Sequence, residues 1–247
     1  MNDQAPQRVA LVTGGSRGIG AAIVRRLAND GFAVAINCAA SEAEAQALAA
    51  EIRQAGGRAL PVRADVSKTA EVRALFDAVL AEFGRIDVLV NSAGVLQVLP
   101  LAETSDELYD RTFDINTRGT FNTMREAATR LADGGSIVNV SSTTVALNLP
   151  GYSVYIASKA AVESLTQVFA KELRGRQIRV NAVAPGPVAT ELFFKGKSPE
   201  LIEHYAKMPP LERLGQPDDI AGIVSFLAGP DSGWVNGQIV RANGGVA

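Results

Sequence analysis

Short, wholly apolar runs alternate with longer amphipathic ones along nearly the whole chain, and this alternation constrains the fold more than any other feature. Residues 8–13, 32–36, 59–62, 86–90, 136–140 and 178–183 read as strands buried on both faces, the pattern of a parallel sheet covered by helices. Between them, residues 19–29, 42–54, 69–83, 106–131 and 155–173 carry apolar side chains near helical spacing. Ser41 is an N-cap candidate, and Gly31, Gly56 and Gly84 fall just past expected helix ends. Repeated βα units imply an α/β fold with a doubly wound parallel sheet. After Pro185 the pattern breaks into Gly, Pro and aromatic residues as far as Pro217. A helix at 218–227 and a strand near 238–240 follow, which brings the sheet to seven strands and leaves residues 187–216 as a small loop-and-helix lid. All 247 residues read as one domain.

Composition removes several function classes. Twenty-four Lys and Arg against 26 Asp and Glu give a formal charge of −2. No block of like charge stands out, so neither nucleic acid nor an anionic membrane is an expected partner. A single cysteine, Cys38, forms no intrachain disulfide, and with one histidine, His204, it is too little for a zinc site, so no metal is expected. Residues 1–7 are polar and lack the pattern of a secretory leader, and no apolar run approaches the roughly 18 residues of a membrane span. The expectation is a soluble, cytoplasmic protein.

Directly after the first strand comes Thr13-Gly14-Gly15-Ser16-Arg17-Gly18-Ile19-Gly20, running into a helix. Glycines at 14, 18 and 20 let the backbone turn tightly and approach a pyrophosphate, whose charge meets free N–H groups at the helix N-terminus. The place of this turn within a βαβ unit makes the sheet Rossmann-like. No Lys followed by Ser or Thr comes after the glycines, which excludes a P-loop.

Tyr155 and Lys159 are four residues apart, hence on one face of a helix. Ser142 lies thirteen residues before Tyr155, just after the fifth strand, where a loop can carry its hydroxyl across to the tyrosine. An unperturbed tyrosine has a pKa of about 10, and a neighbouring ammonium favours its phenolate. Ser142 rather than Ser141 fits the spacing, which makes Ser141 the expected bystander.

The spacing TGxxxGxG, the Tyr155–Lys159 pair, Ser142, and Asn116 in Phe113-Asp114-Ile115-Asn116 together resemble the short-chain dehydrogenase/reductase family, from Thr13 to Gly245. The resemblance implies an NAD- or NADP-binding turn formed by Gly14, Ser16, Arg17, Gly18, Ile19 and Gly20. It implies an adenine contact at Asp65-Val66 and a cofactor-lining segment Asn91-Ser92-Ala93-Gly94, in which Ser92 replaces a second asparagine. It gives Asn116, Ser142, Tyr155 and Lys159 as a catalytic tetrad: Tyr155 exchanging the proton, Ser142 bonding the developing alkoxide, Lys159 holding the nicotinamide ribose, Asn116 supporting a water chain. Pro185-Gly186-Pro187-Val188-Ala189-Thr190 resembles the segment along the nicotinamide face, with Val188 and Thr190 near the carboxamide. A homotetramer is the family's usual assembly.

The second strand ends in Ile36-Asn37-Cys38-Ala39-Ala40-Ser41 with no acid before Glu42. An NAD-preferring site places a carboxylate there. Its absence, with Arg17 able to pair with a 2′-phosphate, favours NADP(H) over NAD(H). Asn37 and Ser41 are candidate phosphate donors, and Cys38 stands at the discriminating position. The bland alternatives are a solvated Arg17 and a small buried Cys38.

Leu147, Asn148, Tyr152, Phe193, Phe194 and Tyr205 would line a mostly apolar pocket beside Ser142, unless the two phenylalanines pack on the protein itself. His204 reads as a surface helix residue and Trp234 as part of a subunit contact or core. Three functions stay open: a ketone or secondary-alcohol oxidoreductase, a 3-oxoacyl-acyl-carrier-protein reductase, and an NADP-binding sensor without turnover. Resemblance to the family's carrier-protein reductases implies two basic docking positions, near the ends of the fourth helix and of the catalytic helix; Arg176 keeps the second, but Asp133 stands at the first and would repel an acidic carrier, which disfavours that reading.

Overall fold

The computed structural model describes residues 6–247, so that most of the polar N-terminal stretch read for a leader lies outside the described residues. The first half of the chain runs through β1 (Val9–Thr13), α1 (Gly18–Asn29), β2 (Ala33–Cys38), α2 (Glu42–Gln54), β3 (Ala59–Arg63), α3 (Thr69–Phe83) and β4 (Val88–Asn91). The second holds α4 (Asp106–Phe113), a π turn (Asp114–Arg118), α5 (Gly119–Arg130), β5 (Ser136–Val140), α6 (Thr144–Leu147) and α7 (Ser153–Glu172). It ends with β6 (Arg179–Pro185), α8 (Glu191–Phe194), α9 (Pro199–Lys207), α10 (Pro217–Ala228) and β7 (Ile239–Ala242).

One parallel sheet of seven strands results, in the order β3-β2-β1-β4-β5-β6-β7. The order reverses between β1 and β4, where Thr13 stands opposite Asn91, and the crevice at their C-terminal ends is the place such sheets bind ligands. Alternate side chains of each strand feed two cores. Val12, Val34 and Ile36 pack with Ile23, Leu27, Leu48, Ile220 and Leu227 under α1, α2 and α10. Leu11, Leu89, Ile137 and Val180 pack with Leu75, Phe76, Met124 and Leu173 on the opposite face. Each such side chain contributes about 1.5–3 kcal/mol on burial, which is why the strands read as apolar on both sides.

The second core also carries a buried polar ladder. Thr123 Oγ1 donates to Asn91 Oδ1 (2.7 Å), Asn91 Nδ2 to Asn139 Oδ1 (2.8 Å), and Asn139 Nδ2 to Thr166 Oγ1 (2.8 Å). These bonds tie α5 and α7 to β4 and β5, and only one lateral register satisfies them all.

The single helix expected over residues 106–131 is divided. Asn116 turns fully inward, its Oδ1 accepting from Val95 N (2.8 Å) and its Nδ2 donating to Val95 O (3.0 Å) and Ser158 Oγ (3.0 Å). The π turn at Asp114–Arg118 accommodates that inward anchor.

The lid is pinched at its base, where Ala189 N donates to Gly215 O (2.8 Å) and Gly215 N to Pro187 O (2.9 Å). Inside it, Thr190 caps α8 through Phe193 N (3.2 Å) and Ser198 caps α9 through Leu201 N (3.3 Å). No described helix is long and apolar enough to cross a membrane.

Candidate active site

The glycine-rich turn is locked against the end of β4. Gly14 has φ +60°, and a Cβ there would lie 2.7 Å from Ala93 Cα, so that only glycine lets the two segments meet. Thr13 Oγ1 accepts from Ser92 N (3.1 Å) and Ala93 N (3.2 Å). The segment is thus held through its backbone, and the serine at 92 costs it no anchor. No side chain caps α1 and no acid stands in its first turn, which leaves its N–H groups to an anionic ligand. Gly18, with φ +54°, faces the Thr190 methyl from across the cleft. These features fit a dinucleotide pyrophosphate.

At the end of β2 the side chains divide. Gly15 N donates to Asn37 O (2.9 Å), while the buried Asn37 amide donates to Ala64 O (2.9 Å) and Val62 O (3.3 Å). Asn37 therefore fastens β2 to the end of β3, which corrects its expected role as a phosphate donor. Cys38 is 3% exposed within the α2-side core, and burial, with Glu42 nearby, raises its thiol pKa. Ser41 stands at the α2 N-cap but makes no capping bond. Arg17 is exposed and lies 3.6 Å from Glu191 of the lid.

Asp65 accepts from Ser67 N (3.0 Å) and Ser67 Oγ (2.7 Å), and its own N–H is held by Glu71 (2.8 Å). Val66 packs so closely on Gly119 that a Cβ there would lie 2.6 Å from its methyl. Asn91 spends its side chain in the buried ladder, so its amide does not face the cleft. Gly94 does face it: a Cβ there would come within 3.4 Å of Asn116 Oδ1 and 3.5 Å of Lys159 Nζ.

Three elements bring the expected tetrad together. Asn116 comes from the π turn, Ser142 from the loop after β5, Tyr155 and Lys159 from one face of α7. Ser142 Oγ accepts from Thr144 Oγ1 (2.9 Å) and Thr144 N (3.3 Å), so its own hydrogen is free to be donated. Lys159 Nζ donates to Val140 O (2.7 Å) and lies 5.9 Å from the Tyr155 ring centre. Burial brings the Lys159 pKa down to about 8. Burial also raises the Tyr155 pKa, and a hydrogen bond with Ser142 only partly opposes it. The expected lowering by the lysine is not what governs the phenol here: two buried groups each resist charge.

Beyond β6, Thr143 N donates to Pro185 O (2.9 Å) and Gly186 N to Ala242 O (3.0 Å). The Val188 side chain is buried in the α1-side core, and Thr190 Oγ1 is spent at the start of α8. On the lid side, the Tyr152 and Tyr205 hydroxyls lie 3.2 Å apart, and the Tyr152 ring stands edge-on to Tyr155 at 6.5 Å. Phe193 packs on Tyr205 at 5.6 Å between ring centres. Leu147 is half-buried, whereas Asn148 is exposed in a left-handed turn with its amide on Ala146 O, so it is corrected out of the pocket lining. Phe194 is largely exposed, His204 is a surface residue and Trp234 is wholly exposed, which excludes the core reading of that tryptophan.

The family model described as enoyl-(acyl carrier protein) reductase matches residues 14–247. A short-chain type dehydrogenase/reductase from Picea abies is 46% identical, covering 96% of this chain and 92% of its own. The chain belongs to the short-chain dehydrogenase/reductase family. Among its relatives, an NADPH-dependent aldehyde reductase-like protein, chloroplastic, from Arabidopsis thaliana is 46% identical over 96% of this chain and 93% of its own. A blue fluorescent protein from a metagenomic library, solved in complex with NADPH, superposes with a TM-score of 0.93 at 38% identity, covering 98% of each chain.

Sequence reasoning missed Ser158 and Thr144, and quoted Thr13 without its anchoring role; all three hold the functional segments through hydrogen bonds. Ser158 directly neighbours Lys159, and that adjacency was the available signal.

Proposed function

We propose that the protein is an NADPH-dependent oxidoreductase that reduces an aldehyde or ketone to an alcohol. The observation that carries this reading is the convergence of Ser142, whose hydroxyl accepts from Thr144 and keeps its own hydrogen, with Tyr155 and Lys159 on one face of α7, Lys159 Nζ lying 5.9 Å from the Tyr155 ring centre. When bound, NADPH supplies the hydride equivalent that the carbonyl carbon accepts. Tyr155 Oη gives its proton to the carbonyl oxygen, and Ser142 Oγ donates a hydrogen bond to the alkoxide as it forms. Lys159, anchored on Val140 O, keeps its remaining N–H groups for the ribose hydroxyls. The Asn116 side chain holds Val95 and Ser158, and in the proposed mechanism this residue supports the water chain that reprotonates Tyr155 through Lys159.

Preference for NADPH rests on the missing acid at the end of β2 and on an exposed Arg17 at the turn, and the names of the relatives agree with it. Gly14, Gly18, Ile19, Gly20, Val66, Ala93, Gly94, Gly186 and the Val188 main chain line the proposed cofactor cleft, and Tyr152, Phe193 and Tyr205 the substrate side. A carrier-protein substrate fits poorly. The Arg176 guanidinium is spent on Asp133 (2.7 Å) and on the carbonyls of Ala128 and Leu131. The reading includes a cytoplasmic homotetramer, for which exposed Phe121, Val168 and Trp234 offer apolar surface.

NADPH consumption, with NADH in parallel, against short aldehydes, aryl ketones, cyclic ketones and an acetoacetyl thioester tests the reading. Turnover with NADPH alone is expected, and Cys38→Asp should move preference toward NADH. NADPH binding without turnover on any of them would favour the sensor instead.

A further inference from the structure

We propose that Glu163 is a positioning residue of this site: through Ser141 it fixes the loop that presents Ser142 to Tyr155. The proposal rests on the reductase reading above and adds a residue that neither composition nor motif singled out. Glu163 follows Tyr155 and Lys159 at four-residue steps on α7, hence on the same stripe of the helix. Ser141 Oγ donates to Glu163 Oε1 at 2.7 Å, and Ser141 is buried.

Successive residues of the extended chain after β5 face opposite ways, so Ser141 turned to Glu163 leaves Ser142 turned to Thr144 and Tyr155. The backbone on either side is tied to β6, by Ser141 N to Val183 O (2.8 Å) and Thr143 N to Pro185 O (2.9 Å). Ser141, Ser142 and Thr143 are buried, and Thr143 Oγ1 donates to Ala184 O (2.9 Å), but these bonds hold the loop to the sheet and none of them reaches α7. The loop borders a cavity of about 230 Å³ whose lining includes Ser142, Thr143, Val145, Glu163, Ala184 and Arg241. The Ser141–Glu163 bond crosses from this loop to the helix that bears Tyr155, and so couples the two groups that must meet one carbonyl oxygen.

The test compares Glu163→Ala, Glu163→Gln, Ser141→Ala and the double variant Ser141→Ala/Glu163→Ala. Glu163→Ala should lower kcat by about tenfold, since small misplacements at a reacting centre are costly, with NADPH affinity and KM within about twofold. Glu163→Gln keeps an acceptor oxygen and should restore most of kcat. Ser141→Ala should copy Glu163→Ala, and the double variant should be no worse than either, the non-additivity of residues acting as one unit. Amide exchange of residues 141–147 in the cofactor-free protein should quicken in Glu163→Ala and not in Glu163→Gln. Unchanged kcat and exchange in Glu163→Ala, failure of glutamine to restore, or multiplying effects in the double variant would each overturn the proposal. Tyr155→Phe, run alongside, separates the two levels: if it keeps turnover the reductase reading fails, and if it alone loses turnover only the Glu163 clamp fails.

Discussion

The floor of the proposed site and the lid above it are held in opposite ways. On the floor, Asn116, Ser142 and Lys159 are buried, and each makes hydrogen bonds of 3.0 Å or less to a different element. In the lid, Leu192, Phe194, Leu201 and Leu211 leave 40% or more of their surface in solvent. Apart from its pinched base, the lid meets the rest of the protein through the Tyr152–Tyr205 hydroxyl contact, the exposed Arg17–Glu191 pair and the packing of Pro209, Pro210 and Leu211 on Gly244 and Gly245. A rigid floor keeps one chemistry. On the proposed reading, a lid carried by few contacts would open at little cost and adapt its aromatic surface to different carbonyl compounds.

Breaking the floor should give the largest effect. Tyr155→Phe should lower kcat by on the order of 10² to 10⁴ while NADPH binding, followed by fluorescence, stays intact; retained turnover would remove Tyr155 from the mechanism.

Lys159 gives the next effect, on stability. Its pKa is about 8 when folded against an ordinary 10.5, so between those values the unfolded chain binds more protons. Wild-type stability from this group therefore rises with pH across that window, and the penalty for a buried ammonium is fully present below about 8. Lys159→Met removes the penalty but leaves Val140 O without its donor. In thermal unfolding without cofactor, the Tm of Lys159→Met relative to wild type should be highest below that pH and fall as pH rises to 10. A difference that grows with pH contradicts the assignment.

The smallest effect lies where floor and lid touch. Arg17 and Glu191 are both exposed, and such pairs are weak. Glu191→Gln should free Arg17 and tighten NADPH by roughly twofold to fivefold, read by titration, with little change for NADH. Equal tightening of both cofactors would dissociate Arg17 from the 2′-phosphate.

The sheet was legible because both faces of each strand are covered, and strand ends moved by no more than two residues. The glycine turn and the Tyr155–Lys159 pair were legible because geometry allows few residue types there. The π turn was not: Asp114-Ile115-Asn116-Thr117 has weak helix propensity, yet only a long-range partner, the Val95 backbone, makes Asn116 turn inward. Asn37 was misread for a related reason. An asparagine beside a cleft looks like a ligand donor, and only the fold reveals that Ala64 O already occupies its amide. Asn148 was misplaced because the short helix at Thr144–Leu147 that it ends was not read, although asparagine is a residue type that favours such a left-handed turn.

The contrast between floor and lid is tested most directly by one measurement: kcat/KM across the same carbonyl panel for wild type, Ser142→Ala and Phe193→Ala. The account predicts that Ser142→Ala lowers every substrate by a similar factor, about 10² to 10³, while Phe193→Ala changes their ranking with much smaller losses. Reordering by Ser142→Ala, or uniform scaling by Phe193→Ala, would contradict it.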